Sequence, residues 1–331
     1  MVAARIIALP LNTNHPIKKT PARNPRVTIC LGCSISSVLV KSAKVRLQAR
    51  SLFEGTHPHE RVALAYFCYL ATLSFFYPLT VLDRLALFAL PVAIWVVLRL
   101  ETAASRPWSR VVRQWASLAL ILLAYWRLSW FGSTPPGQLE LTWVRWDEQL
   151  LNTYGLRAAI ESAGWIGPSL LESCYLLIYA IPPISLCILY ACQATDRANR
   201  HLLILFLGTF AAYALVPFFP VVPPRIAFPA SVPPSYHGIA RELNLSLLGR
   251  FNVAIAVFPS GHVALALSAA LGLFHALRER ASIWGLAFLF AFLVYIATIY
   301  GRYHYAVDGL ASILIVLAVW KTRGLWRTHE I

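Results

Sequence analysis

The chain has 331 residues, of which 58% are hydrophobic and 13% charged. A soluble domain carries about 25% charged residues, so a soluble core is excluded and a polytopic membrane protein is expected. The formal net charge of +15 does not point to nucleic acid, because the basic residues sit in short segments between apolar runs, as topology signals do, and form no soluble basic face.

Residues 1–60 are basic, broken by Pro10, Pro16, Pro21, Pro25 and Pro58, and free of acids before Glu54. They read as a largely disordered cytoplasmic tail. Residues 27–40 are too short to span a bilayer, and 42–53 suit a basic helix on anionic lipid. Cys30 and Cys33 form a lone C-x-x-C. Without a second pair nearby, a zinc or redox role is not expected.

Eight apolar runs follow, at 61–80, 82–100, 114–131, 169–192, 201–219, 260–277, 282–301 and 306–322. Backbone polar groups in lipid must be satisfied within their own segment, so each run is expected to be a helix. The alternating ten-residue segments of a β-barrel are absent. The expected fold class is therefore all-α, a polytopic membrane helix bundle. Its parts are the tail 1–60, two transmembrane helices with a linker over 61–113, a core over 114–322 and a short cytoplasmic tail, 323–331.

Charge sets the expected orientation. Arg99, Arg106, Arg110 and Arg113 mark one connection, Arg197 and Arg200 another, Arg278 and Arg280 a third, and Lys321, Arg323 and Arg327 the end. These alternate connections, with the tail, are cytoplasmic by the positive-inside rule. Both termini then lie inside, and 132–168, 220–259 and 302–308 face outside. In the first of these, Glu140, Asp147, Glu148 and Glu161 outnumber Arg145 and Arg157. Trp143, Trp146 and Trp165 suit the headgroup level, and 150–162 suits a short interfacial helix. Glu172 and Arg127, near outer span ends, read as snorkelling, with lining a substrate cleft as the alternative.

Three polar clusters fall on that outer side. Pro223-Pro224-Arg225 follows the fifth span, where prolines stiffen the chain and an arginine ends the run. Pro259-Ser260-Gly261-His262 opens the sixth. Ser260 is a good N-cap, Gly261 admits a ligand close to the backbone, and a helix N-terminus suits a phosphate. Arg302-Tyr303-His304 precedes the last span, with Asp308 four residues after the histidine. That spacing puts His304 and Asp308 on one helical face, where the carboxylate can orient the imidazole. Arg225 and Arg302 are planar cations suited to phosphate oxygens. Two apolar runs, out and back, bring the histidine motifs to one membrane face. Together they make an anion site with a nucleophile and an acid. A metal site from His262, His304 and Asp308 is the alternative, opposed by the neighbouring arginines. Neither common glycine-rich nucleotide motif is present.

Pro-Ser-Gly-His followed by His-x3-Asp resembles the type 2 phosphatidic acid phosphatase superfamily. Pro-Pro-Arg225 and Arg302-Tyr-His304-Tyr-x2-Asp308 resemble its inositol-phosphorylceramide-synthase-like, inositolphosphotransferase branch. The resemblance covers 114–322 and implies a six-helix core with two additional N-terminal spans. It also implies a mechanism. His304 is then the nucleophile that forms a phosphohistidine, and Asp308 polarises it. His262 serves as acid and then base, and Arg225, Arg302, Ser260 and Gly261 hold the phosphoryl oxygens. No metal or cofactor is implied. The expected partners are a lipid phosphate or phospholipid substrate, membrane lipids, and water or an alcohol as acceptor, and no nucleic acid. The active site then faces the extracytoplasmic or lumenal side. The sequence departs from the wider pattern: no lysine lies between His201 and Arg225, and Ala297 and Thr298 stand where Ser-Arg is usual. These departures favour phospho-head-group transfer. Lipid-phosphate hydrolysis is the alternative, and a non-catalytic transporter or scaffold is the rival from another class, although no matching pair of broken spans is visible.

Overall fold

The computed structural model describes residues 54–104, 108–132, 137–229, 234, 236–251 and 257–322. Residues 1–53 of the tail, with Cys30 and Cys33, and the final residues 323–331 lie outside the described residues, whereas 58–60, expected within the tail, already belong to the first helix. All regular structure described is helical. The helices of the apolar runs are α1 (Pro58–Leu73), α2 (Val81–Ala104), α3 (Ser109–Arg127), α6 (Ile166–Leu177), α7 (Ile181–Ala191), α8 (Ala198–Leu215), α11 (Gly261–Ala276), α12 (Ala281–Tyr300) and α13 (Ala306–Lys321). Between them lie α4 (Gln138–Glu148), α5 (Leu156–Glu161), α9 (Pro224–Ala227) and α10 (Ile239–Phe251).

Each of the eight apolar runs is helical, α6 and α7 together making one of them. Four stretches are long and apolar enough to cross a membrane: Val81–Leu100, Ile166–Ala191, Thr195–Phe218 and Ala281–Tyr300. The chain is a membrane protein with an all-α helix bundle. The outer faces agree with lipid as the solvent. On α2, Val81, Leu82, Leu85, Val92 and Val97 are exposed, which costs nothing against hydrocarbon.

At the centre is α8, packed against α1, α3, α11 and α13. Association in lipid depends on close fit rather than on hydrophobic burial. The α8–α11 contact uses a small residue for this: a Cβ on Gly208 would meet Ser268 Oγ at 2.0 Å. On the buried face of α8, His201 Nε2 lies 2.8 Å from Ser185 Oγ. α1 packs on α8 and is held to α3 by a buried ion pair between Glu60 and Arg113. Arg113 Nε donates to Glu60 Oε1 at 2.8 Å, and its Nη2 donates to the Gly55 carbonyl at 3.0 Å.

Residues 150–162, expected as one short helix, instead form a π-helical turn over Gln149–Thr153, a left-handed Gly155 and then α5. Gly155 at φ 74° takes the conformation that interrupts the run.

Candidate active site

Two helix starts and one turn build the site. Ser260 caps α11, its Oγ accepting from Val263 N at 3.4 Å, and this puts His262 in the first helical turn. The α12–α13 turn carries the second histidine. In it, Tyr303 N and His304 N both donate to the Thr298 carbonyl, at 2.9 and 3.1 Å. The chain curls so tightly that a Cβ on Gly301 would lie 2.2 Å from the Tyr303 ring. Arg302 takes φ 61°, a left-handed value uncommon for a residue with a side chain. α13 starts only at Ala306, so His304 stands before the helix rather than on its face. Asp308 sits in the first turn, and its Oδ2 accepts from Tyr305 N at 2.8 Å.

The starts of α11 and α13 are tied directly. Ser260 N donates to the Asp308 carbonyl at 3.1 Å, and Ser312 Oγ donates to the Ser260 carbonyl at 2.8 Å. With the two starts fixed, His262 Nδ1 lies 3.1 Å from His304 Nε2. His304 Nδ1 lies 2.9 Å from the Val257 carbonyl and 3.5 Å from Asp308 Oδ2. A carbonyl can only accept, so Nδ1 carries the proton and Nε2 presents its lone pair. His262 then donates from Nδ1, and its Nε2 faces Tyr179 Oη at 3.4 Å. Burial pushes the His304 imidazole down to about 3; the bond to Val257 opposes this and the nearby Arg225 guanidinium adds to it. Burial thus favours the uncharged imidazole at His304.

The expected site residues therefore meet, with one exception in placement. His262, His304, Asp308, Ser260 and Gly261 are together. Arg225 joins them, because its backbone N–H donates to the Arg302 carbonyl at 3.2 Å and its Cζ sits 5.8 Å over the Tyr303 ring. Arg302 belongs to the same turn, but its side chain is buried beside the acids of α4. Burial lowers its pKa, while Asp147 and Glu148 raise it.

Two partners went unnoticed in the sequence, and Glu172 takes a different place from the expected one. The Val257 carbonyl, not Asp308, makes the shorter contact to His304. Asp147 Oδ1 accepts from Ala306 N at 3.0 Å, fixing the start of α13. Burial pushes this carboxyl up to about 7, against the Ala306 bond and Arg302. Glu172 does not snorkel: it is 1% exposed and ion-paired to Arg241 at 2.7 Å. Its position in an apolar run was the one available signal, since an intramembrane acid demands a partner. Arg127 is half-buried, its Cζ 4.4 Å over the Trp130 ring.

A cavity of ≈ 340 Å³ ends on His262 and Gly261. Its walls are otherwise apolar or aromatic, from Trp115, Leu118 and Leu122 on α3 to Pro182, Tyr179 and Tyr213. From Trp115 to Tyr125 the wall runs about 15 Å, at 1.5 Å per helical residue. The cavity thus joins His262 to an apolar slot whose walls include the exposed side chains of Trp115, Leu122 and Tyr179. Among the described residues, no three His, Cys, Asp or Glu side chains group as a metal site.

No curated protein and no solved structure matches the chain. A family match covers residues 141–322, more than half of the chain, and includes all three motifs and both helix starts; the chain belongs to the PAP2 superfamily.

Proposed function

We propose that the chain is a membrane phosphotransferase or phosphatase that acts on a lipid phosphate ester through a phosphohistidine at His304. Superfamily membership supports a lipid phosphatase or phosphotransferase type of activity. The observation that carries the finer reading is the histidine pair: His304 Nε2 is directed at His262 Nδ1, 3.1 Å away, while His304 Nδ1 is held from behind. The apolar cavity ending on His262 supports a substrate with a hydrocarbon chain.

In the first step the substrate phosphoryl group enters between the two imidazoles. The lone pair of His304 Nε2 forms the N–P bond as the P–O bond to the leaving oxygen breaks. His262, protonated on both nitrogens beside the anionic substrate, gives its Nδ1 proton to that oxygen. His304 gains positive charge as the bond forms, and Asp308 at 3.5 Å stabilises it. Arg225 and the free N–H groups at the start of α11 receive the phosphoryl oxygens. In the second step neutral His262 takes a proton from the acceptor, whose oxygen attacks phosphorus and releases His304. With water as acceptor the product is free phosphate; with an alcohol it is a new phosphoester. The Pro-Pro-Arg225 and Arg302-Tyr-His304 motifs favour the alcohol and the inositolphosphotransferase-like branch.

Purified protein given radiolabelled lipid phosphates or phospholipids, scored for free phosphate against transferred head group, tests the reading and separates the two acceptors. An acid-labile phosphoenzyme is expected in His262→Ala and not in His304→Ala. Full turnover by His304→Ala on every substrate the wild type uses refutes the nucleophile assignment.

A further inference from the structure

We propose that Glu172, Tyr175 and Tyr303 form a positioning stack that sets Arg225 and His262 against His304. This rests on the roles proposed above for Arg225 and His262. It assigns work to a buried carboxylate that the phosphoryl-transfer steps do not use.

The stack is built from three elements. Glu172 and Tyr175 lie one turn apart on α6, and Tyr303 comes from the α12–α13 turn. α10 supplies Arg241 and Asn244. Glu172 Oε1 accepts from Arg241 Nη1 at 2.7 Å, and Oε2 accepts from Asn244 Nδ2 at 2.8 Å and from Tyr303 Oη at 2.6 Å. Asn244 Nδ2 also reaches the Glu172 carbonyl at 2.9 Å. If the carboxylate only neutralised Arg241, one oxygen would suffice. Instead its second oxygen is used to hold a phenol, in a short charge-assisted bond.

Once its hydroxyl is held, the Tyr303 ring is a fixed platform. Arg225 Cζ lies 5.8 Å from its centroid, within the range of a cation–π contact. Tyr175 stacks on Tyr303 with centroids 3.9 Å apart and planes at 19°. Tyr175 also stacks on His262, at 4.7 Å and 19°. One carboxylate thus reaches the phosphoryl-binding cation through one ring and the acid–base imidazole through two. A catalytic group displaced by 1 Å can lose about a hundredfold in rate, which is why such a support matters.

The two branches predict different kinetics. Tyr175→Leu cuts the path to His262 and leaves Arg225 on Tyr303. In the full-length protein with phosphatidic acid, kcat is expected to fall about tenfold or more with KM within about twofold. Tyr175→Phe, which keeps the ring, is expected to restore kcat. Tyr303→Phe releases the platform from Glu172, so kcat falls and KM rises about threefold or more. Orthovanadate affinity, measured by titration calorimetry, reads the Arg225 branch without turnover. It is expected to weaken in Tyr303→Phe and not in Tyr175→Leu. Vanadate affinity equal in all three proteins, or no rescue by Tyr175→Phe, overturns the stack. If the wild type turns over no lipid phosphate but vanadate follows the expected pattern, the functional reading and the His262 branch fail and the Arg225 branch of the stack stands. A wild type that neither turns over lipid phosphate nor binds vanadate overturns both.

Discussion

Replacing Asp147 with asparagine removes an ionisable group from a place that disfavours its charge. The carboxyl is 1% exposed, and burial holds it near 7 instead of its ordinary 3.8. Between about pH 4 and 7 the native chain keeps a proton that the unfolded chain has lost. The native state therefore binds more protons, and stability falls as pH rises through that window. The stabilising contribution is complete below about pH 4 and gone above about pH 7. At 1.36 kcal/mol for each pH interval, the ionised carboxyl costs the native state about 4 kcal/mol. Asparagine keeps an oxygen for the Ala306 N–H, now 3.0 Å from Oδ1, and carries no charge. Asp147→Asn is thus expected to raise the thermal unfolding midpoint by several degrees at pH 8 and to leave it unchanged at pH 4. Tryptophan fluorescence of the detergent-solubilised protein across a pH series measures this, with Trp143 and Trp146 on the same helix as reporters. A shift of equal size at both pH values refutes the reasoning; destabilisation at pH 8 also refutes it and makes the Arg302 attraction for the carboxylate the larger effect.

Glu60→Ala leaves Arg113 buried without its carboxylate, and a loss of about 3–5 kcal/mol is expected in denaturant unfolding; a loss below 1 kcal/mol refutes it. Leu118→Trp fills the slot that ends on His262, so KM for long-chain lipid phosphates should rise while a short-chain analogue is unaffected. Equal changes for both substrates refute the cavity as a chain site. For orientation, a cysteine at Tyr154, which is 78% exposed, is expected to react with an impermeant thiol reagent from the extracytoplasmic side; labelling only from the cytoplasm overturns the topology.

Much of this molecule was legible before its structure. The apolar runs predicted helices because lipid offers the backbone no other partner, and each run is helical. Ser260 was read as a cap from residue type and position, and it caps. The close approach of His262 and His304 followed from two spans leaving and returning. What could not be read was anything set by the path of the backbone. No residue type announces that the Val257 carbonyl will face His304. Nor does the four-residue spacing reveal that His304 precedes the helix and that Asp308 spends one oxygen on Tyr305 N. Arg302 was read from its charge as a phosphate ligand; its left-handed backbone and its burial beside Asp147 and Glu148 are outcomes of the turn. Glu172 was visible as a costly charge, but its partners on α10 lie about seventy residues away in sequence.

The same limits explain how the site holds its geometry. Hydrocarbon provides little orientation, so a polar site in a bundle must be fixed by bonds among its own members. The starts of α11 and α13 share the Ser260, Asp308 and Ser312 bonds, and Asp147 holds Ala306 from outside the pair. Arg225 is brought in by a backbone bond to the residue two before His304. Three of these ties use the N–H groups of Ser260, Ala306 and Arg225, which lie at helix starts, where the first N–H groups have no partner within the helix. The site therefore lies where helices begin because those positions provide both the donors that fix the site and the donors that can receive a phosphoryl group. A substitution that extended α13 backwards through His304 would move the free N–H groups away from Asp147 and Asp308 and undo these ties.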